Sequence, residues 1–194
     1  MLSCFDVAKY FLTKVDEEEG EVITNLKLQK LAYYAQSASL AFYDSPLFTE
    51  SLEAWKHGPV VPDLYQVYKS YGASPLPKTE TAVVECFSLG NRKLLDDVYA
   101  FFGQFAAWKL RDMTHEETPW QEASLTQGVI SLGSMRDYFR AHWGDQMLAA
   151  VGNPDDLLQE LRGKRWEPSA DALEAARRYK KGQVVGDRYT SGAV

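Results

Sequence analysis

Residues 24 to 42 constrain the fold of this chain most. Their apolar side chains recur every three or four positions, the period of one face of an α-helix, at Leu28, Leu31, Ala35, Ala38 and Phe42. Thr24 or Asn25 can cap the start, and the turn Asp44-Ser45-Pro46 ends the pattern. The sequence therefore predicts an amphipathic helix whose polar residues stay in solvent: Lys27, Gln29, Lys30 and Gln36.

The next segment predicts a short strand and a turn. Residues 53 to 57, which include Trp55, suit a half-buried strand, and Gly58-Pro59 is expected to end it because Gly and Pro do not continue a pleat well. Pro62 then opens a helix that Gly72 stops. The β-branched residues near Val84 predict a second strand over residues 81 to 87, able to pair with the first.

Further helix signals lie on both sides of these segments. Start signals precede apolar periodicity at Ser3, Asn91, Thr118 and Ser134, and Gly103 separates two helical patterns. We therefore expect a mainly α protein with a small β-sheet (α+β), folded as one compact multi-helix domain over residues 1–150. Residues 151–194 are expected to form a C-terminal helical extension with a frayed tail.

Composition points to a globular intracellular protein. The 194 residues are 45% hydrophobic and 25% charged, which is ordinary for a domain with a packed core. The only cysteines, Cys4 and Cys86, form no CxxC pair, so neither a disulfide framework nor a zinc site is indicated. The sequence shows no signal peptide and no long apolar run, so we expect a cytoplasmic location and no membrane span.

The charge distribution argues against nucleic-acid binding without excluding it. The net charge is −6, with eight Lys or Arg and seven Asp or Glu in residues 151–194, which leaves −7 for residues 1–150. An acidic body repels phosphate backbones. The basic run from Arg177 to Lys181 fits a solvated helix face, and it also leaves open a DNA-binding autoregulator.

Signatures of catalysis are missing from the sequence. It contains no HExxH, no GxSxG, no Walker A loop and no GxGxxG. We therefore predict a protein that is not an enzyme and that needs neither cofactor nor metal. The alternative from another class is a metal-dependent hydrolase that uses His57 and His115 with carboxylates such as Asp63 and Glu116.

Three blocks of sequence carry a family resemblance. They are ITNLKLQKLAYYAQ at residues 23–36, LEAWKHGPVVP at residues 52–62 and LRDMTHEETPW at residues 110–120. In this order they resemble the SocA/GepA-like family, also called the Panacea domain, over residues 3 to 143. The resemblance implies an antitoxin of a bacterial or phage toxin–antitoxin system that binds a cognate toxin protein. For SocA-like members it further implies delivery of the toxin to a Clp-type AAA+ protease.

Two groups of residues are candidates for partner binding. The family's signature turns place Lys56, His57, His115 and Glu116 in loops, where they can form a polar surface or satisfy local backbone groups instead. Tyr33 and Tyr34 are neighbours on a helix and point about 100° apart, so we expect one of them near the surface. Trp55 and Trp120 are expected to wedge core elements together rather than to act as interface anchors.

Overall fold

The computed structural model describes residues 1–16, 18, 20 and 22–151, and the main chain in this part is mostly helical. The helices are α1 (Cys4–Leu12), α2 (Asn25–Tyr43), α3 (Pro62–Tyr68), α4 (Leu89–Phe102), α5 (Ala107–Glu116), α6 (Thr118–Ser124), α7 (Leu132–Phe139) and α8 (Asp145–Val151). Short 3₁₀ helices cover Lys69–Tyr71 and Thr81–Cys86, and a π-helical turn, Arg140–Gly144, joins α7 to α8. The predicted fold class is confirmed. The extension predicted for residues 151–194, including the basic run from Arg177, lies outside the described residues apart from Val151.

Helix α2 lies at the centre of the domain. The Thr24 side chain accepts a hydrogen bond from the Lys27 amide, as the capping pattern predicts, and Asp44 closes the helix in the left-handed conformation. Helices α1, α3, α4, α5 and α7 and a β-strand pack around α2. An amphipathic surface helix was predicted, whereas the structure has a helix that is covered on several sides.

The polar residues of α2 are buried, so the expectation that they stay in solvent is wrong. The exposed fraction is 9% for Lys27, 1% for Gln29, 0% for Lys30 and 1% for Gln36. Gln36 shows how burial is tolerated: its amide oxygen accepts from the Leu47 and Phe48 amides, and its nitrogen donates to the Phe48 carbonyl. Buried polar groups need such partners, and here the connecting segment around α2 supplies them.

The strand pair differs from the sequence prediction at its turn. Strands β1 (Glu53–Trp55) and β2 (Gly58–Val60) are antiparallel, and Trp55 lies opposite Gly58. The turn is therefore Lys56-His57, and Gly58-Pro59 belongs to β2. Gly58 has a φ of 93°, a conformation that glycine adopts without steric cost, so it continues the chain where other residues would be strained.

The predicted second strand is helical. Thr81–Cys86 forms a 3₁₀ helix, and Val83 within it and Phe87 directly after it are buried. The free edge of β1 is instead covered by the segment after α6. There the Ala54 amide donates to the Gly128 carbonyl and the Ile130 amide donates to the Leu52 carbonyl.

Several helix starts shift by a few residues. The capping box at Ser3 and Asp6 is present and begins α1 as predicted. Ser88 and Ser131 are the caps of α4 and α7, in place of the predicted Asn91 and Ser134. Glu117 takes the capping position of α6 and Thr118 is its first helical residue. Such shifts reflect the low precision with which side-chain preferences define boundaries.

The packing around Gly58 gives a stability prediction. A Cβ atom at this position would lie 2.7 Å from Thr114 Oγ1 and 2.8 Å from Lys30 Nζ. We expect Gly58→Ala to lower the free energy of unfolding by about 2 kcal/mol or more, because steric overlap adds to the strain of a positive φ. Gly20→Ala is the matched control, since Gly20 also has a positive φ but no atom within 4 Å of the added Cβ.

Urea unfolding of the two variants at pH 7 tests this expectation. The control should lose only about 1 kcal/mol, the cost of the backbone conformation alone. Equal losses in the two variants would contradict the close packing of Lys30 and Thr114 against Gly58.

Candidate partner-binding surface

A cleft lies between the β1–β2 hairpin and helix α6. It has a volume of about 590 Å³, within the usual range of ligand sites, and is lined by Ala54, Trp55, Lys56, Trp120, Ser124 and Gln127. We call it the indole cleft, after its two tryptophans. Gln127 has a φ of 49°, an uncommon conformation for a residue with a side chain, so the loop on this side of the cleft has an unusual backbone shape.

Local contacts fix the two indole rings of the cleft. The Trp120 ring stacks on His115, with ring centroids 3.9 Å apart and planes 8° from parallel. The Trp55 ring meets Tyr65 edge to face at 5.0 Å. Trp55 donates its Nε1 proton to Glu53, and Trp120 donates to the Trp55 carbonyl. Both rings are half-buried, so they pack between elements, as expected, and are also partly accessible from the surface.

A second aromatic group lies beside the hairpin turn. Trp108 on α5 is 60% exposed, and the His57 ring meets it at right angles with centroids 5.7 Å apart. The Arg111 guanidinium lies over the same indole, 5.8 Å from its centroid. An exposed tryptophan between a histidine and an arginine has the composition that protein interfaces favour.

The segment after α6 adds apolar surface. Leu125 is 86% exposed and Val129 is 60% exposed, and both flank residues that line or adjoin the cleft. These exposed side chains add to the apolar surface that a partner could bury beside the cleft.

Lys30 on α2 forms a hydrogen bond with the second strand of the hairpin. Its ammonium donates to the Pro59 carbonyl at 2.8 Å, and the neighbouring Gln29 accepts from the Val61 amide at 2.9 Å. Burial, and then the nearby charge of Arg111, lowers the pKa of Lys30 to about 7. The same two causes, in that order, lower the pKa of His115, whose Nε2 has no hydrogen-bond partner among the described residues.

Glu117 joins three aromatic side chains behind this surface. Its carboxylate accepts from Tyr33 Oη at 2.6 Å, from Tyr34 Oη at 2.9 Å and from Trp143 Nε1 at 3.0 Å. Burial raises the pKa of Glu117, and the three donors oppose this rise by stabilising the carboxylate. The cluster ties α2 to the start of α6 and to the π-helical turn.

The structure brings together some of the residues predicted to bind a partner. Lys56 lines the indole cleft, His57 contacts Trp108 and His115 stacks on Trp120. His115 and Glu116 lie in the last turn of α5 rather than in a loop, and Glu116 is exposed.

The expectation that Tyr33 or Tyr34 lies near the surface is wrong. Their exposed fractions are 1% and 0%, because other helices cover α2 and Glu117 binds both hydroxyl groups. A partner that docks on the domain as described cannot touch either ring. Their role in partner binding stays a prediction, and it would require the domain to open and expose the two rings.

Trp108, Lys30 and Glu117 are the important residues that the sequence reasoning missed. Trp108 lies in an ordinary helical segment with no separate signal of its exposure, and Lys30 was expected on the solvated face of α2. Glu117 directly precedes a Thr-Pro helix start, where a capping role would be expected rather than the buried position that it has.

The described part of the chain was compared with the requirements of a metal site and of a membrane-spanning helix. Within it, no group of three or more His, Cys, Asp or Glu side chains is arranged to hold a metal ion. None of the helices in the same residues is long and apolar enough to cross a membrane.

Comparisons with known proteins support the family resemblance. The model of the family described as "Antitoxin SocA-like, Panacea domain" matches residues 28–121. Antitoxin SocA from Caulobacter vibrioides (strain NA1000 / CB15N) is 44% identical over 50 residues, which are 26% of this chain and 27% of that relative. No solved structure matches the chain. The match confirms the resemblance to the SocA-like Panacea domain over residues 28–121; the predicted boundary at residue 150 stays a prediction.

The buried amine of Lys30 predicts a pH dependence of stability. In the unfolded chain its pKa returns to about 10.5, so between pH 7 and pH 8.5 the unfolded state keeps a proton that the folded state loses. Stability contributed by this group must then rise with pH, by at most about 1.4 kcal/mol per pH unit. Lys30→Met removes that contribution.

Urea unfolding at intervals from pH 7 to pH 8.5 measures the effect. Between pH 7.5 and pH 8.5 we expect wild type to gain about 1 kcal/mol relative to Lys30→Met. Lys78→Met is the control, because Lys78 is exposed, and its pH dependence should match wild type. Parallel curves for wild type and Lys30→Met would show that Lys30 is not buried as described.

Proposed function

We propose that this protein is an antitoxin that binds and neutralises a cognate protein toxin. The observation that carries the proposal is the match of residues 28–121 to the Panacea domain of SocA-like antitoxins. The partial similarity to antitoxin SocA supports it. Because the match spans only 27% of that relative, the activity and partner of the whole protein remain part of the proposal.

The geometry agrees with a binding role. Rigid, half-exposed indoles beside an exposed tryptophan and exposed aliphatic side chains form a surface suited to a protein partner. The polar residues predicted from the signature turns, Lys56, His57, His115 and Glu116, lie on or beside this surface. They are proposed to contact the toxin.

The mode of neutralisation has two forms. The protein either covers the working surface of the toxin or delivers the toxin, as an adaptor, to a Clp-type AAA+ protease. A cytoplasmic location follows from either form and stays a prediction.

Co-expression tests the function and separates its two forms. The toxin candidate is the product of the gene adjacent to the one for this chain. We expect that product to stop growth when expressed alone and growth to resume when this chain is co-expressed. Toxin that disappears on co-expression in a strain with the Clp protease, but persists in a strain without it, would support delivery. Toxin that persists in both strains while growth resumes would support coverage.

The control for this experiment is a variant that folds but lacks two side chains of the proposed binding surface. The double variant Lys56→Glu, Trp108→Ala changes two exposed side chains, so the fold should survive while rescue falls. A neighbouring product without toxicity, or toxicity that wild-type chain does not relieve, would overturn the antitoxin proposal.

A further inference from the structure

We propose that the indole cleft binds a linear segment of the toxin that carries an apolar side chain next to an acidic one. This inference rests on the proposed antitoxin function and specifies the chemistry of the ligand. The apolar side chain would lie between Trp55 and Trp120, and the carboxylate would pair with Lys56.

The size and walls of the cleft favour a peptide segment. A volume of about 590 Å³ holds more than one side chain. Two of its walls are indole rings, and their N–H groups already donate to Glu53 and to the Trp55 carbonyl, so the rings offer apolar faces and edges rather than unused donors. An aliphatic or aromatic side chain gains most from such walls, since burial of apolar surface supplies the main free energy.

The charge at the rim favours an acidic neighbour. Lys56 is exposed and forms no ion pair or hydrogen bond with any residue in the described ranges, whereas the cations Lys14, Lys93 and Arg136 pair with carboxylates. The carboxylate nearest to it in sequence, Glu53, already accepts from Trp55. A ligand carboxylate therefore meets a cation without an intramolecular competitor, and Ser124 and Gln127 offer further polar groups.

The side chains of the cleft are already held in place in the absence of a ligand. His115 stacks on Trp120, and Tyr65 packs on Trp55. Lys30 hydrogen-bonds strand β2, which follows the turn, and Gln29 hydrogen-bonds the residue after that strand. Side chains fixed in this way lose little conformational freedom on binding, which favours affinity. The exposed Leu125 and Val129 extend the apolar surface beyond the cleft for the rest of the segment.

Binding of purified full-length chain to the purified toxin tests the inference with two variants. Lys56→Glu reverses the charge at the rim and should weaken binding by at least about tenfold. Ser124→Tyr fills the cleft with a large side chain and should weaken binding to a similar degree. Both positions are on or near the surface, so far-ultraviolet circular dichroism and melting temperature should stay close to wild type.

Each variant has a matched control. Lys78→Glu makes the same charge change at an exposed lysine outside the cleft. Glu122→Tyr places the same large side chain on α6, two positions from Ser124 and therefore on nearly the opposite side of the helix. Both controls should bind toxin within about threefold of wild type.

Overlapping peptides that tile the toxin identify the ligand. We expect one peptide with adjacent apolar and acidic residues to bind wild type and to fail with Ser124→Tyr, and replacement of its acidic residue by Lys should restore binding to Lys56→Glu. Wild-type affinity in both cleft variants would overturn the inference, as would a bound peptide without an acidic residue. A dimer of this chain that Ser124→Tyr disrupts while toxin binding is unchanged would also overturn it. Wild-type chain that binds no toxin would instead count against the antitoxin function.

Discussion

The hydrogen bonds from helix α2 to strand β2 and to the residue after it determine where the proposed partner-binding surface lies. Lys30 donates to the Pro59 carbonyl and Gln29 accepts from the Val61 amide, so two side chains on one helix hold the outer edge of the hairpin. The close approach of Lys30 to Gly58 leaves no room for a Cβ. Because the turn Lys56-His57 precedes Gly58, its position depends on these contacts.

The central helix thus links the core to the surface through polar groups. Gln36 binds the segment at Leu47 and Phe48, while Tyr33 and Tyr34 bind Glu117 at the start of α6. Every one of these groups is buried, and breaking one hydrogen bond would leave a partner unsatisfied in a dry environment. The cost of such an unpaired group favours one arrangement of the hairpin and α6, and the indole cleft lies between these two elements.

The sequence predicted the positions of the helices and strands better than it predicted which other elements pack against them. Caps and apolar periodicity located α2, α3 and the strand with Trp55, since these signals are local. The burial of Lys30 and Gln36 could not be predicted in this way, because periodicity identifies the apolar face of a helix but not whether other elements cover the polar face. The strand predicted over residues 81 to 87 was wrong for a related reason. β-branched residues suit a strand, but this preference depends on tertiary context, and here the segment forms a 3₁₀ helix with Val83 buried in the core.

The proposed binding surface was predictable only in part. Loop chemistry and the family motifs pointed to Lys56, His57 and His115, whereas the cleft itself arises from tertiary contacts between residues as distant in sequence as Trp55 and Trp120.

Hydrogen exchange of the chain with and without its toxin tests most directly whether the proposed surface binds the partner. Our account predicts added amide protection in residues 53–60 and 118–130, with little change in α4 and α8. Protection confined to other elements, with the hairpin and α6 unchanged, would contradict it.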